Sequence, residues 1–183
     1  MEKFILQKSA SVLVIVDIQE RLVPAMSEKQ KVYDNCGHLI EVSKLLDIPI
    51  VVTEQYPKGL GPTVDEIKGS LPSYEPLTKI TFDCCGGDGF LERISSLGRK
   101  QIILTGMETH VCVLQTCLSL LKEGCTVHLV GDAVCSRKKG DYLAAREMMR
   151  DAGAVITCTE TVLFQLLEKA GTPEFKAISK RIK

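Results

Sequence analysis

Five short runs of aliphatic and β-branched residues recur along the chain, each followed by a longer stretch of mixed polarity. They are Ser11 to Val16 (SVLVIV), Pro49 to Thr53 (PIVVT), Gln101 to Leu104 (QIIL), Thr126 to Val130 (TVHLV) and Ala154 to Thr157 (AVIT). Apolar runs this short that do not alternate with polar residues suit strands covered on both faces. The stretches between them predict helices over Ser27 to Leu46, about Thr109 to Glu123, Lys139 to Asp151 and Thr161 to Ala170. Ser27 and Gln30 have the spacing of a capping box at the first helix start. Gly124 and Gly153 stand just before strands, where a glycine that ends the preceding helix belongs. Strand and helix in strict alternation mean parallel βαβ units. The expected architecture is an α/β, Rossmann-like doubly wound fold, a mainly parallel sheet with helices on both faces. At 183 residues the chain fits one domain, residues 1 to 183. It is long enough to bury a core without a disulfide or metal staple.

Several function classes lose support on composition. Lys+Arg and Asp+Glu both number 23, so no whole-molecule field draws the chain to nucleic acid or an anionic membrane. No apolar stretch approaches a membrane span, and the start Met1 to Lys8 has too short an apolar run for a secretory leader. A cytoplasmic location is expected. Eight cysteines are present, but none form a C-x-x-C pair. Most lie in apolar segments, such as Cys125 and Cys158, and read as small buried hydrophobes. The first strand runs into Asp17-Ile18-Gln19 rather than a G-x-G-x-x-G turn, which disfavours a dinucleotide-binding protein.

Open parallel sheets bind ligands beyond the carboxyl ends of their strands. The residues to weigh there are Asp17 after the first strand, Glu54 and Gln55 after the second, Gly106 to Cys112 after the third and Asp132 after the fourth. An aspartate in such a place also serves as an ordinary cap or turn residue. Cys112 lies near a predicted helix start, whose free N–H groups and partial positive charge favour a thiolate and an oxyanion. The same position also suits a cysteine that only packs against the sheet. Lys79 sits in the extended run Pro76 to Phe82. There it either reaches water from an edge strand or pairs with a carboxylate such as Asp17.

Three blocks together resemble the isochorismatase-like cysteine hydrolase superfamily. They are Val16-Asp17-Ile18-Gln19, Lys79-Ile80-Thr81-Phe82 and Gly106-Met107-Glu108-Thr109-His110-Val111-Cys112-Val113. The stretch Glu54 to Thr63 and the ending Glu174-Phe175-Lys176 are most similar to the isochorismatase domain-containing protein branch. The resemblance implies a triad: Asp17 as general base, Lys79 as the orienting cation and Cys112 as nucleophile. It implies an oxyanion hole from the backbone N–H groups of Glu108 and Cys112, and a cis peptide bond between Met107 and Glu108. Metal-binding members of the superfamily carry Asp and His ligands after the second strand. Here Thr53-Glu54-Gln55-Tyr56-Pro57-Lys58 holds no histidine, so neither a metal nor another cofactor is expected.

The reading is therefore a hydrolase acting on a small molecule, at an amide-like C–N bond. By their placement Gln19, Gln55, Tyr56, Phe82 and Thr109 are the candidate substrate contacts. The resemblance also implies a homo-oligomer, a dimer or larger. Three alternatives stay open: cleavage of a vinyl ether with Cys112 as bystander, a catalytically weak binding or scaffold module, and a thiol sensor built on Cys84-Cys85.

Overall fold

The computed structural model describes residues 1–183. Its centre is a six-stranded, all-parallel sheet: β1 (Ser11–Val16), β2 (Ile50–Gln55), β3 (Leu77–Lys79), β4 (Gln101–Met107), β5 (Thr126–Cys135) and β6 (Val155–Thr157), in the order β3-β2-β1-β4-β5-β6. Six helices connect the strands, α1 (Lys29–Leu45), α2 (Pro57–Leu60), α3 (Asp65–Lys68), α4 (Phe90–Ser96), α5 (Leu114–Lys122) and α6 (Lys139–Asp151), and two follow the last strand, α7 (Thr159–Leu167) and α8 (Pro173–Arg181). The doubly wound expectation holds. Every residue of β1 is buried, and its side chains divide between two cores. Leu13 and Ile15 pack with α1, α7 and α8. Val12, Val14 and Val16 pack with α4, α5 and α6. A strand apolar at every position is what this two-sided burial demands.

Local readings are revised in five places. The run at Leu77–Lys79 is a sixth strand, paired with Thr53–Gln55 at the sheet edge. β4 continues past Leu104 to Met107, and β5 continues past Gly131 to Cys135, with a register shift between Leu104 and Gly106. The Ser27–Gln30 capping box does not form: α1 starts at Lys29, and the Gln30 amide donates to Asp34 instead. Residues Thr109–Val113 form a π-helical turn, and the regular helix begins only at Leu114. Cys158 is exposed and Cys125 half-buried, so these two thiols are not core residues.

One glycine decides how closely the central strands approach. Gly106 has φ 119°, and a Cβ there would meet the Val16 carbonyl oxygen at 2.0 Å. Only glycine lets β4 reach the end of β1 beside Asp17.

His128 lies within β5, pointing into the core with α1 and α7, and its Nε2 has no hydrogen-bond partner. Burial pushes its pKa down from 6.5 to about 4, against the hydrogen bond to the Lys3 backbone. The folded imidazole thus stays neutral where the unfolded one takes a proton. Stability from this group is intact above pH 6.5 and falls as the pH drops towards 4. Urea unfolding should show a loss of about 2–3 kcal/mol across that window, and His128→Gln should flatten it. Equal pH slopes in the two proteins would reject this account.

Candidate active site

The carboxyl ends of β1, β2, β3 and β4 converge on one buried cluster. Asp17 leaves β1 with φ 51°, in the left-handed region, and is fully buried. The end of β3 supplies Lys79, whose ammonium lies 2.6 Å from Asp17 Oδ2. It donates also to Gln55 Oε1 at 2.9 Å and to the carbonyls of Phe82 at 3.1 Å and Thr81 at 3.3 Å. Burial alone would lower the lysine pKa. The Asp17 carboxylate, through its charge and its hydrogen bond, acts the other way and holds Lys79 above its usual value. The alternative of a solvated edge lysine is therefore set aside: β3 is an edge strand, but its last side chain points inward.

Cys112 reaches the cluster from the π turn after β4 and is 6% exposed. Burial pushes the thiol pKa up, the Asp17 carboxylate and its hydrogen bond push it further, and Lys79 opposes both. The helix end and Lys79 favour a thiolate, and burial acts against both. Desolvation outweighs the cation, and the turn around Cys112 is not the first turn of a regular α-helix. The surroundings thus favour the neutral thiol of Cys112.

The turn that carries Cys112 is held from outside. The Met107–Glu108 bond is cis. The Glu108 carbonyl accepts from the N–H groups of Val111 and Val113, not from that of Cys112. The Glu108 carboxylate accepts from the Arg137 backbone N–H at 2.9 Å and from its Nε at 3.1 Å. His110 N–H donates to Ser136 Oγ at 3.3 Å, and the His110 ring contacts the same oxygen. Neither Arg137 nor Ser136 announces itself in the sequence, since both lie in an ordinary loop after β5.

The substrate-contact candidates separate into two groups. Gln19 and Gln55 are revised. The Gln19 amide donates to the Gln55 and Gly61 carbonyls and accepts from the Gln55 N–H. Gln55 joins Lys79 to the Ile80 carbonyl. Both amides are spent on tying the chain together. Tyr56 and Phe82 are about half exposed, at the rim above Lys79 with the exposed Ile80. Thr109 is fully buried in the π turn, and its hydroxyl has no partner. A groove of about 760 Å³ beside the amino end of β2 is lined by Ile48, Pro49, Leu71 and Arg93 and by no member of the cluster.

Two further strand-exit acids have structural partners. Asp132 accepts from the Thr159 N–H and hydroxyl at the start of α7. Glu54 accepts from the Thr63 N–H, the Thr63 hydroxyl and the Tyr74 hydroxyl. All three bonds fall on Oε1 and tie the end of β2 to the excursion around Thr63. No group of three or more His, Cys, Asp or Glu side chains is gathered so as to hold a metal ion.

The isochorismatase domain family matches residues 11–161 of this chain. The chain belongs to the isochorismatase family. A secreted isochorismatase effector, Isc1, of Phytophthora sojae is 41% identical over 178 residues, covering 95% of this chain and 85% of the relative. Isochorismatase domain-containing protein 2 of Danio rerio is 39% identical over 176 residues, covering 96% and 88%. Among solved structures, MAR1 ribonuclease from Caenorhabditis elegans superposes with a TM-score of 0.90 at 36% identity, covering 97% of this chain and 91% of that one. An isochorismatase-family hydrolase on an α/β fold is the coarse identity these likenesses support. No helix is long and apolar enough to cross a membrane.

Proposed function

We propose that this chain is a cysteine hydrolase that opens an amide-like C–N bond in a small molecule, with Asp17, Lys79 and Cys112 as its catalytic triad. The observation that carries the reading is the buried ion pair of Lys79 and Asp17, 2.6 Å apart, gathered with Cys112 at the carboxyl ends of the central strands. As Sγ attacks the carbonyl carbon, Asp17 takes the thiol proton, and negative charge gathers on the carbonyl oxygen. The N–H groups of Glu108 and Cys112 receive that oxygen. Collapse of the intermediate breaks the C–N bond, and protonated Asp17 returns the proton to the leaving nitrogen. Asp17 then takes a proton from water, which attacks the thioester and frees Cys112. Lys79 remains charged throughout and keeps the carboxylate aimed at sulfur. Tyr56 and Phe82 at the rim and Thr109 behind the nucleophile are the side chains proposed to meet the substrate.

The family name favours a second reading, cleavage of a vinyl ether with Asp17 as acid and Cys112 as bystander. The ribonuclease name of one structural neighbour does not favour a nucleic-acid substrate here, because the formal charge is zero. The deciding experiment is a screen of small amides, carbamoyl compounds and vinyl ethers against the native protein and Cys112→Ala. Amide or carbamoyl turnover that disappears in the variant is expected. Vinyl ether turnover that survives in it would replace the first reading by the second.

The chain is further proposed to work as a homo-oligomer. The exposed Tyr56, Ile80 and Phe82 give a second copy an apolar surface beside the site. The cytoplasm is the proposed location, supported by eight free thiols.

A further inference from the structure

The triad leaves unexplained a polar chain on its far side. Thr53 ends the stretch of β2 paired with β1, in register with Val16. It grips Asp17 twice. Its carbonyl accepts the Asp17 N–H at 3.2 Å, and its hydroxyl lies 2.7 Å from Asp17 Oδ1. Cys84 Sγ lies 3.7 Å from that same hydroxyl. The Cys84 backbone N–H donates to Thr116 Oγ1 at 3.0 Å, and Thr116 stands one helical turn after Cys112 on α5. Thr53, Asp17 and Cys84 are all at or below 1% exposure, so water cannot substitute for any of these bonds.

The direction of each bond follows from counting protons. A carboxylate paired with Lys79 can only accept. The single hydroxyl proton of Thr53 is therefore given to Asp17, and the hydroxyl oxygen accepts from the Cys84 thiol. That thiol stays protonated, since burial and then the Asp17 charge push its pKa up to about 11. Asp17 thus receives Lys79 on Oδ2 and Thr53 on Oδ1, which restricts its rotation.

We propose that Thr53, braced by Cys84, is a positioning residue of this site: it holds Asp17 ionised and oriented so that the carboxylate can take the Cys112 proton. The proposal rests on the reading of Asp17 as base for Cys112. Groups facing Asp17 from the surrounding elements are Lys79 of β3, Cys84 of the turn at Cys84–Gly86 and Cys112 of the π turn. None of the three carries a carboxylate that could replace Asp17.

The test is the pH dependence of Cys112 alkylation by acrylamide, read by peptide mapping so that no substrate is needed. Asp17→Asn first checks the underlying reading: alkylation of Cys112 must slow at neutral pH, and an unchanged rate rejects the base itself. Thr53→Val keeps the shape and removes the hydroxyl. It should move the acid limb of the profile up by about one pH unit, a tenfold lower rate below the limb, with little change on the alkaline plateau. Thr53→Ser should track the native profile. An unshifted limb in Thr53→Val, while Asp17→Asn slows the reaction, overturns the proposal and leaves the triad standing. If Thr53→Val does not fold, Cys84→Ala is read in the same way. It removes only the brace, so a smaller upward shift supports the proposal and an unmoved limb overturns it.

Discussion

Asn in place of Asp17 is expected to lower turnover by a factor of about 100 to 10,000, the usual worth of a positioned general base. The cause lies in the resting state. Burial and the carboxylate push the Cys112 thiol pKa up, so in the proposed mechanism the nucleophile forms as its proton leaves for Asp17. An amide at that position still fills the space and still meets Thr53, but it cannot take the proton. The measurement is kcat for a substrate found in the screen, alongside a thermal melt. Near-native turnover in a folded variant would end the base assignment. Loss of fold would show instead that the residue matters chiefly for stability.

Lys79→Met should be the most destabilising single change in the cluster, by about 3–5 kcal/mol. The ammonium and the Asp17 carboxylate are 2% and 0% exposed as side chains and lie 2.6 Å apart. Removing the cation strands a buried negative charge that Thr53 alone cannot compensate. It also frees the Gln55 side-chain oxygen and the Thr81 and Phe82 carbonyls, which share the ammonium's hydrogens. The double variant Asp17→Asn, Lys79→Met removes both charges together, and it should be more stable than the sum of the two single losses by about 2 kcal/mol. Urea unfolding of the four proteins measures this directly. Additive losses would mean that the two charges do not sense each other.

The frame of the molecule was legible because its signal is repetition. Five of six strands carry the apolar runs that two-sided burial requires, and Ser11–Val16 appears with its observed bounds. β3 showed only as an extended run with an edge strand as one reading, because it is three residues long and lies at the edge, with Thr78 facing solvent. The strand exits pointed to Asp17 and Cys112 from position alone. Their convergence with Lys79 took the resemblance, since nothing in local pattern says which distant side chains meet. Thr53 was read only as the end of an apolar run: a β-branched residue there is ordinary strand material, and its hydroxyl acquires meaning only through register with Val16. Gln19 and Gln55 misled in the opposite direction. Polar residues at strand exits suggest ligand contacts, yet both amides satisfy backbone groups of the excursion that folds over them through the Gln19–Thr63 bridge.

The order of strands in the sheet also bears on when this chemistry becomes possible as the chain folds. The base and its cation are 62 residues apart in sequence, and Asp17 and Thr53 are 36 apart. They meet only through parallel neighbours, each of which needs a complete crossover before it can pair. Contacts of such high sequence separation carry their loop-closure entropy up front and form late. A partial structure that lacks these crossovers does not bring Asp17 against Lys79 and Thr53. The proposed reactive centre therefore arises with the finished sheet, and in an incompletely folded chain Cys112 is one of eight ordinary cysteines.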